Sequence, residues 1–158
     1  MLQSAAAGRA TRCTTVAALV DTNVLVYRFD PRFPEKQRRA TDLLRRGIAD
    51  RTLMLAHQGI VEFVAATTRS LRGSAPLLPP PDAWREAEEL LRQFPIIYPD
   101  DDVVRTAVRG AGAYELSWFD AQTWAYAEVH DLDTLYSEDF EDGRTYGLVR
   151  VVNPFRNG

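Results

Sequence analysis

Four carboxylates of this 158-residue chain stand in positions where an acid is costly. Asp21 ends the apolar run VAALVD, and Asp139 follows the run TLYSE late in the chain. Glu62 interrupts the apolar string IVEFVAA, and Asp120 is surrounded by bulky aromatic residues in LSWFDAQTWAYAE. A carboxylate near a core costs several kcal/mol unless it is paired or holds a metal ion. The other acids fit helix starts, turns or exposed faces and require no special explanation.

A metal site would explain these four acids. Converging carboxylates repel one another, and this raises the pKa of some of them unless a cation neutralises the charge. Oxygen ligands without histidine or cysteine favour Mg²⁺ or Mn²⁺ over zinc. His57 and His130 do not repeat at a metal-ligand spacing, and the single cysteine, Cys13, allows no internal disulfide and no cysteine zinc site. The residue types therefore favour a magnesium or manganese site.

The elements that position these acids are predicted to alternate between strand and helix. Strands are predicted at 16–21, 52–56, 95–99, 134–139 and 148–152, and helices at 35–49, 58–70, after Asp82, after Asp100 or Asp101, and from 116 to about 130. Residues expected to face the core from the two middle helices are Trp84, Ala87, Leu90, Leu91, Phe94, Val103, Val104, Ala107 and Val108. The prolines of residues 72–81 predict a linker without regular structure. This alternation predicts an α/β fold with a parallel sheet covered on both faces.

Convergence of the acids follows from that architecture. In an open parallel sheet, ligands bind outside the carboxyl ends of the strands, where the strand order reverses. Asp21 and Asp139 end strands, while Glu62 and Asp120 lie on helices that could reach the same crevice. We therefore expect the four carboxylates to share one site.

Length and composition indicate a single soluble domain. Hydrophobic residues make up 46% of the chain and charged residues 26%, and no apolar run approaches the roughly 18–20 residues of a membrane span. Residues 1–15 are small, polar and free of acids, and we predict a disordered leader there, with one domain at 16–158. The low cysteine content favours a reducing, cytoplasmic setting. The net charge of −3 provides no global basic field, although 18 of the 19 basic residues are arginines.

Four strings of the sequence resemble a known family. ALVDTNVLVY, QGIVEFVAATTR, LSWFDAQTWAYAE and LYSEDFEDGRTYGLVRVVNPF are similar to the four acidic motifs of PIN-domain nucleases, especially VapC-type toxins of toxin–antitoxin pairs. The resemblance extends over residues 16–155 and implies a three-layer α/β/α sandwich with a central parallel sheet. The metal-binding, catalytic acids that it implies are Asp21, Glu62, Asp120 and Asp139, and the supporting polar residues are Thr22, Asn23 and Ser117. Among the late acids at 138–142, Asp139 fits best in position, and Asp142 is a lesser candidate.

The resemblance also implies an activity and partners. It implies an Mg²⁺- or Mn²⁺-dependent endoribonuclease that cleaves RNA with metal-activated water and acts as the toxin of a toxin–antitoxin pair. A small cognate antitoxin and a homodimer are implied as well, with helices from the first half of the chain at the interfaces. The apolar faces of the helices at 35–49 and 58–70 exceed what a short sheet needs to cover itself, so we expect the antitoxin to bind there. Trp118 or Phe119 could stack on an RNA base.

Two alternative functions remain open for this sequence, and two others conflict with its composition. An RNA-processing nuclease that is no toxin, or a PIN fold that binds RNA or protein without cutting, are the alternatives that stay open. A phosphatase with an aspartyl nucleophile and a phospho-accepting receiver domain both require a late lysine. The only lysine here, Lys36, lies early in the chain, which argues against both.

Overall fold

The computed structural model describes residues 17–70 and 73–156, and the predicted leader at 1–15 lies outside them. The strands are β1 (Ala18–Val20), β2 (Leu53–Ala56), β3 (Ile96–Ile97), β4 (Thr134–Tyr136), β5 (Thr145–Tyr146) and β6 (Val149–Val152). The helices are α1 (Thr22–Tyr27), α2 (Pro34–Asp50), α3 (His57–Thr68), α4 (Pro80–Gln93), α5 (Asp101–Tyr114) and α6 (Trp118–Val129).

The strands form one mostly parallel sheet in the order β3-β2-β1-β4-β6-β5. β1 pairs in parallel with β2 on one side and with β4 on the other, and only β5 runs antiparallel to its neighbour β6. The chain therefore leaves β1 toward one edge of the sheet and later returns to its other side at β4. This arrangement confirms the predicted α/β fold and places the reversal of strand order between β1 and β4.

Both faces of the sheet are covered by helices. Leu19 packs with buried residues of α5 and α6, whereas its neighbours Ala18 and Val20 pack with buried residues of α1, α2, α3 and α4. This alternation explains why the first strand is apolar throughout, since each of its side chains enters one of two cores. A large side chain that is fully buried in this way stabilises the fold by roughly 1.5–3 kcal/mol.

The helices differ from the predictions at two positions. No helix was predicted for residues 22–27, yet α1 forms there because the Asp21 side chain caps its first turn. Asp82 was predicted to cap the next helix, but α4 begins at Pro80 with Pro79 in the capping position. Pro80 is tolerated as the first helical residue because an N–H group at that position would have no acceptor within the helix. The predicted linker therefore ends at Pro79, and its described part, residues 73–79, contains neither helix nor strand.

The predicted inward faces of α4 and α5 are wrong in part. Trp84, Leu91, Val104 and Val108 are 46–59% exposed, whereas Ala83, Leu90, Val103 and Ala107 form the buried stripes. Apolar residues occupy more than one stripe on these helices, and periodicity does not tell which stripe meets the sheet. No helix in the described part of the chain is long and apolar enough to cross a membrane.

Candidate active site

The four predicted acids line a single cavity of about 690 Å³. Asp21 directly follows β1, and Asp139 lies three residues beyond the end of β4. Asp120 belongs to the first turn of α6, and Glu62 lies in the second turn of α3. The cavity therefore opens at the carboxyl ends of β1 and β4, where the strand order reverses.

Asp21 is the buried centre of this cavity. Its carboxylate accepts hydrogen bonds from the Thr22 backbone N–H at 2.7 Å and from the Ser137 hydroxyl at 2.6 Å. Burial raises the pKa of Asp21 from 3.8 to about 7; the bonds from Ser137 and Thr22 oppose this rise, and the negative charges of Asp139 and Asp120 add to it. In the described part of the chain, the neighbours that act on this pKa are therefore two hydrogen-bond donors and two further acids.

An amide and a hydroxyl connect Asp21 to Asp139. The Asn23 Nδ2 group donates to Asp21 Oδ2 and to Asp139 Oδ2, each at 3.0 Å. The fully buried Ser137 hydroxyl also accepts from the Asp139 backbone N–H at 3.1 Å. Sequence reasoning missed Ser137, although its place directly after the buried strand β4 and two residues before Asp139 could have identified it.

Glu62 is held by side chains from two helices. Its Oε2 accepts from the Thr22 hydroxyl at 2.9 Å, and its Oε1 accepts from the Gln58 amide at 2.7 Å. Thr22, a predicted supporting residue at the start of α1, therefore links α1 to α3 through its hydroxyl group. Gln58 was not predicted, although its position four residues before Glu62 puts both side chains on the same helix face.

Asp120 is oriented by the residue that caps its helix. The Ser117 hydroxyl accepts from the Asp120 backbone N–H at 3.1 Å and donates to Asp120 Oδ2 at 2.7 Å. Ser117 itself does not line the cavity. Of the two neighbouring aromatic residues, Phe119 lines the cavity and is 63% exposed, whereas Trp118 lies outside it.

The late acids have separate roles. Glu138 lines the cavity but pairs with the Lys36 ammonium at 2.5 Å. Asp142 does not line the cavity, and its Oδ1 accepts from the Asn153 backbone N–H at 2.8 Å. The geometry thus brings Asp139 to the site and leaves the lesser candidate, Asp142, outside it.

The residues of the cavity fit a hard divalent cation. Among the described residues, no three carboxylate, imidazole or thiolate groups lie close enough to hold one metal ion together. The donors that line the cavity are nevertheless oxygens, and the buried Asn23 Oδ1 has no hydrogen-bond partner in the described chain. Asp139 and Asp120 add negative charge beside the buried Asp21, and a cation at this place would offset the repulsion. Mg²⁺ suits such a site because it keeps several water ligands and binds through one or two carboxylates.

Solved structures share this fold over nearly their full length. A toxin–antitoxin complex from Klebsiella pneumoniae matches with a TM-score of 0.63 and 22% identity, over 87% of this chain and 98% of that chain. FitAcB from Neisseria gonorrhoeae matches with a TM-score of 0.61 and 21% identity, over 89% and 99% of the two chains. A structure of FitAB bound to an IR36 DNA fragment gives a TM-score of 0.64 and 20% identity, over 89% and 97%. At these identities the likeness concerns the fold.

A comparison with curated proteins finds no match. Residues 18–146 match the sequence model of a family described as the PIN domain. This stretch begins with β1, ends with β5 and includes all four acids of the cavity. The chain therefore belongs to the PIN domain family.

Proposed function

We propose that this protein is an Mg²⁺- or Mn²⁺-dependent endoribonuclease and the toxin of a toxin–antitoxin pair. PIN domains are generally nucleases, and the observation that carries the proposal is the convergence of Asp21, Glu62, Asp120 and Asp139 on one cavity. A bound Mg²⁺ or Mn²⁺ ion would activate a water molecule and stabilise the charge that develops on the phosphate during hydrolysis.

The protein's own residues hold the four acids ready for this ion. Ser137 and Asn23 fix Asp21 and Asp139, Thr22 and Gln58 fix Glu62, and Ser117 fixes Asp120. Such support keeps carboxylate oxygens in place because each rotamer is constrained by its own hydrogen bond.

The partners belong to the proposal as well. Two of the similar folds are described as a toxin–antitoxin complex and as FitAB bound to DNA, and this supports a small antitoxin as a partner. For a homodimer, the exposed apolar side chains support one of the two expected helices, α3, and add α4 and α5, but they do not support α2. Large exposed apolar residues lie on α3, α4 and α5, namely Val61, Trp84, Leu91, Val104 and Val108, whereas no such residue of the described chain lies on α2.

Asp120→Asn tests the nuclease assignment. The substitution removes one charged group from the cavity while it keeps the volume, and the Ser117 cap can still receive the backbone N–H. Cleavage of single-stranded RNA in Mg²⁺ or Mn²⁺ should fall at least ~100-fold, while circular dichroism and the melting temperature show that the fold is kept.

The matched control is Asp102→Asn, which changes an exposed acid in the first turn of α5 and should cleave like the wild type. Undiminished cleavage by purified Asp120→Asn protein would contradict the assignment. Sequencing of RNA ends after brief induction in cells would identify the substrate. Absence of toxicity, with no small adjoining gene, would favour an RNA-processing nuclease over a toxin.

A further inference from the structure

The cavity continues beyond the four acids into a second part with a different character. We call this part the arginine half; its lining residues are Val26, Asp30, Arg32, Phe33, Ala65, Ala66 and Arg69. Val26 lies one turn beyond Thr22 on α1, and Arg69 directly follows the end of α3, about 10 Å beyond Glu62 along the helix axis. The arginine half therefore extends from the acids along α1 and α3, away from the edge of the sheet.

Arg32 is a fixed guanidinium on the wall of this half. Its Nε and Nη2 groups donate to the two oxygens of Asp30 at 2.8 and 2.7 Å, and its backbone N–H donates to Asp30 Oδ1 at 3.1 Å. The Asp30 carboxylate is buried, and the hydrogen bonds from Arg32 lower its pKa, whereas the Arg32 side chain is 59% exposed. Because one edge of the fork is anchored, its remaining N–H groups can bind a ligand with little further loss of rotamer freedom.

Two further groups complete the arginine half. Arg69 is exposed at the end of α3 and forms no ion pair with any residue that the structure describes. Phe33 is 45% exposed, and the Arg32 guanidinium lies 5.9 Å from the centre of its ring. The apolar side chains of Val26, Ala65 and Ala66 supply the rest of the lining. Lys36 and Tyr27 also lie against the Phe33 ring, which remains half-exposed. Guanidinium groups, a half-exposed aromatic ring and small apolar side chains thus lie together.

We infer that the arginine half binds a nucleotide of single-stranded RNA next to the phosphodiester that is cut, and this inference rests on the proposed function. The acids repel a polyanion, so the strand needs positive groups beside them, and guanidinium forks suit phosphate oxygens. Arg32 and Arg69 hold the adjoining phosphates, and the base stacks on Phe33. A partner peptide that carried a basic side chain toward the acids would meet these two guanidiniums, which disfavours a peptide here.

RNA binding by the full-length chain tests this inference. Affinity for a fluorescein-labelled single-stranded RNA of mixed sequence is measured by anisotropy at several salt concentrations, with Mg²⁺ present and Asp120→Asn in all proteins to prevent cleavage. Arg69→Gln should weaken binding about three- to tenfold and lower the salt slope by about 1, because one phosphate contact is lost. Phe33→Leu should weaken binding at least about fivefold with the salt slope unchanged, because only stacking is lost.

The control is Arg85→Gln, which removes an exposed arginine of α4 that pairs with Asp82 at 2.7 Å and lies outside the cavity. This variant should bind RNA like its parent. Arg32→Gln should also weaken RNA binding, but it leaves the buried Asp30 without its ion-pair partner and could disturb the fold. The test of the inference therefore uses the Arg69 and Phe33 variants.

Unchanged affinity and salt slope in both Arg69→Gln and Phe33→Leu would overturn the inference. If RNA binding was unchanged but those variants lost binding to the product of an adjoining small gene, the arginine half would be assigned to a protein partner. Failure of the proposed function is seen separately, as the absence of RNA cleavage by the protein with Asp120 intact. In that protein, Arg69→Gln should raise KM and leave kcat unchanged.

Discussion

Replacing Asp21 by asparagine is expected to stabilise the metal-free protein at neutral and alkaline pH, although it removes a central acid of the site. The folded protein raises the pKa of this buried carboxyl from 3.8 to about 7. Below about pH 4 the group is protonated in both the folded and the unfolded chain and has no effect on stability. As the pH rises from about 4 to about 7, the unfolded chain releases the proton first, so stability falls; above about pH 7 the whole penalty persists.

The size of the effect follows from the same two pKa values. The difference between 3.8 and about 7 corresponds to about 4 kcal/mol of unfolding free energy. Asparagine removes this penalty, but its amide nitrogen replaces one oxygen and faces the donors of Ser137 and Asn23. Rearranging these hydrogen bonds costs about 1–2 kcal/mol. We therefore expect a net gain of about 2–3 kcal/mol at pH 8, or a melting temperature about 5–10 °C higher.

Thermal unfolding in EDTA between pH 4.5 and 8.5 measures this effect. The stability of Asp21→Asn relative to the wild type should rise with pH and level off above about pH 7, and at pH 4.5 the variant should be equal or slightly less stable. Asp102→Asn, which changes an exposed acid, should show no such pH-dependent gain. A variant that is no more stable than the wild type at pH 8, or a difference that does not vary with pH, would refute the reasoning.

Three further predictions concern other residues. Mn²⁺ should raise the melting temperature of the wild type through binding, and Glu62→Gln should reduce that rise; equal shifts would remove Glu62 from the metal site. Gly110→Ala should lower the free energy of unfolding in urea by about 1–3 kcal/mol because its Cβ would lie 2.2 Å from a buried indole of α6. Gly112→Ala, whose Cβ would meet open space, should raise the free energy of unfolding by about 0.5–1 kcal/mol. Equal effects would refute this packing argument. A double-mutant cycle with Lys36→Met and Glu138→Gln should give a coupling of about 1 kcal/mol, and additive effects would show that the ion pair does not stabilise the fold.

The sequence was sufficient to predict five of the six strands and the acids at their ends because these features are local, whereas the two-residue antiparallel strand β5 was missed. The apolar run before Asp21 has the length and the continuous burial of a central parallel strand, and the acid at its end marks the carboxyl edge. The same reasoning applies to β4 and Asp139. Such patterns depend on a few adjacent residues, and the parallel order of the sheet then brings their ends together.

The supporting contacts of the site were not predictable in this way. The bond from Asn23 to Asp139 joins residues 116 positions apart, and it exists only because β1 and β4 are neighbours in the sheet. Asp30 was interpreted as a turn residue, and its burial under Arg32 depends on how the loop after α1 folds back. α1 was missed because six residues are too few to form a stable helix without the cap and the packing against its neighbours.

The direction of the helices explains how the fold supports several acids in one place. α1 begins at the carboxyl end of β1 and α3 at that of β2, while α6 leads into the start of β4, so its first turn lies at the same edge. Three helix N-termini, with their partial positive charge, therefore point toward the cavity. The effect fades beyond the first turn, so it favours the cap Asp21 and the first-turn Asp120 more than Glu62, which depends on Thr22 and Gln58 instead. Burial nevertheless raises the pKa of Asp21 to about 7, so the helix N-termini do not offset the cost of burying this acid, and the cation that we propose would lower that pKa.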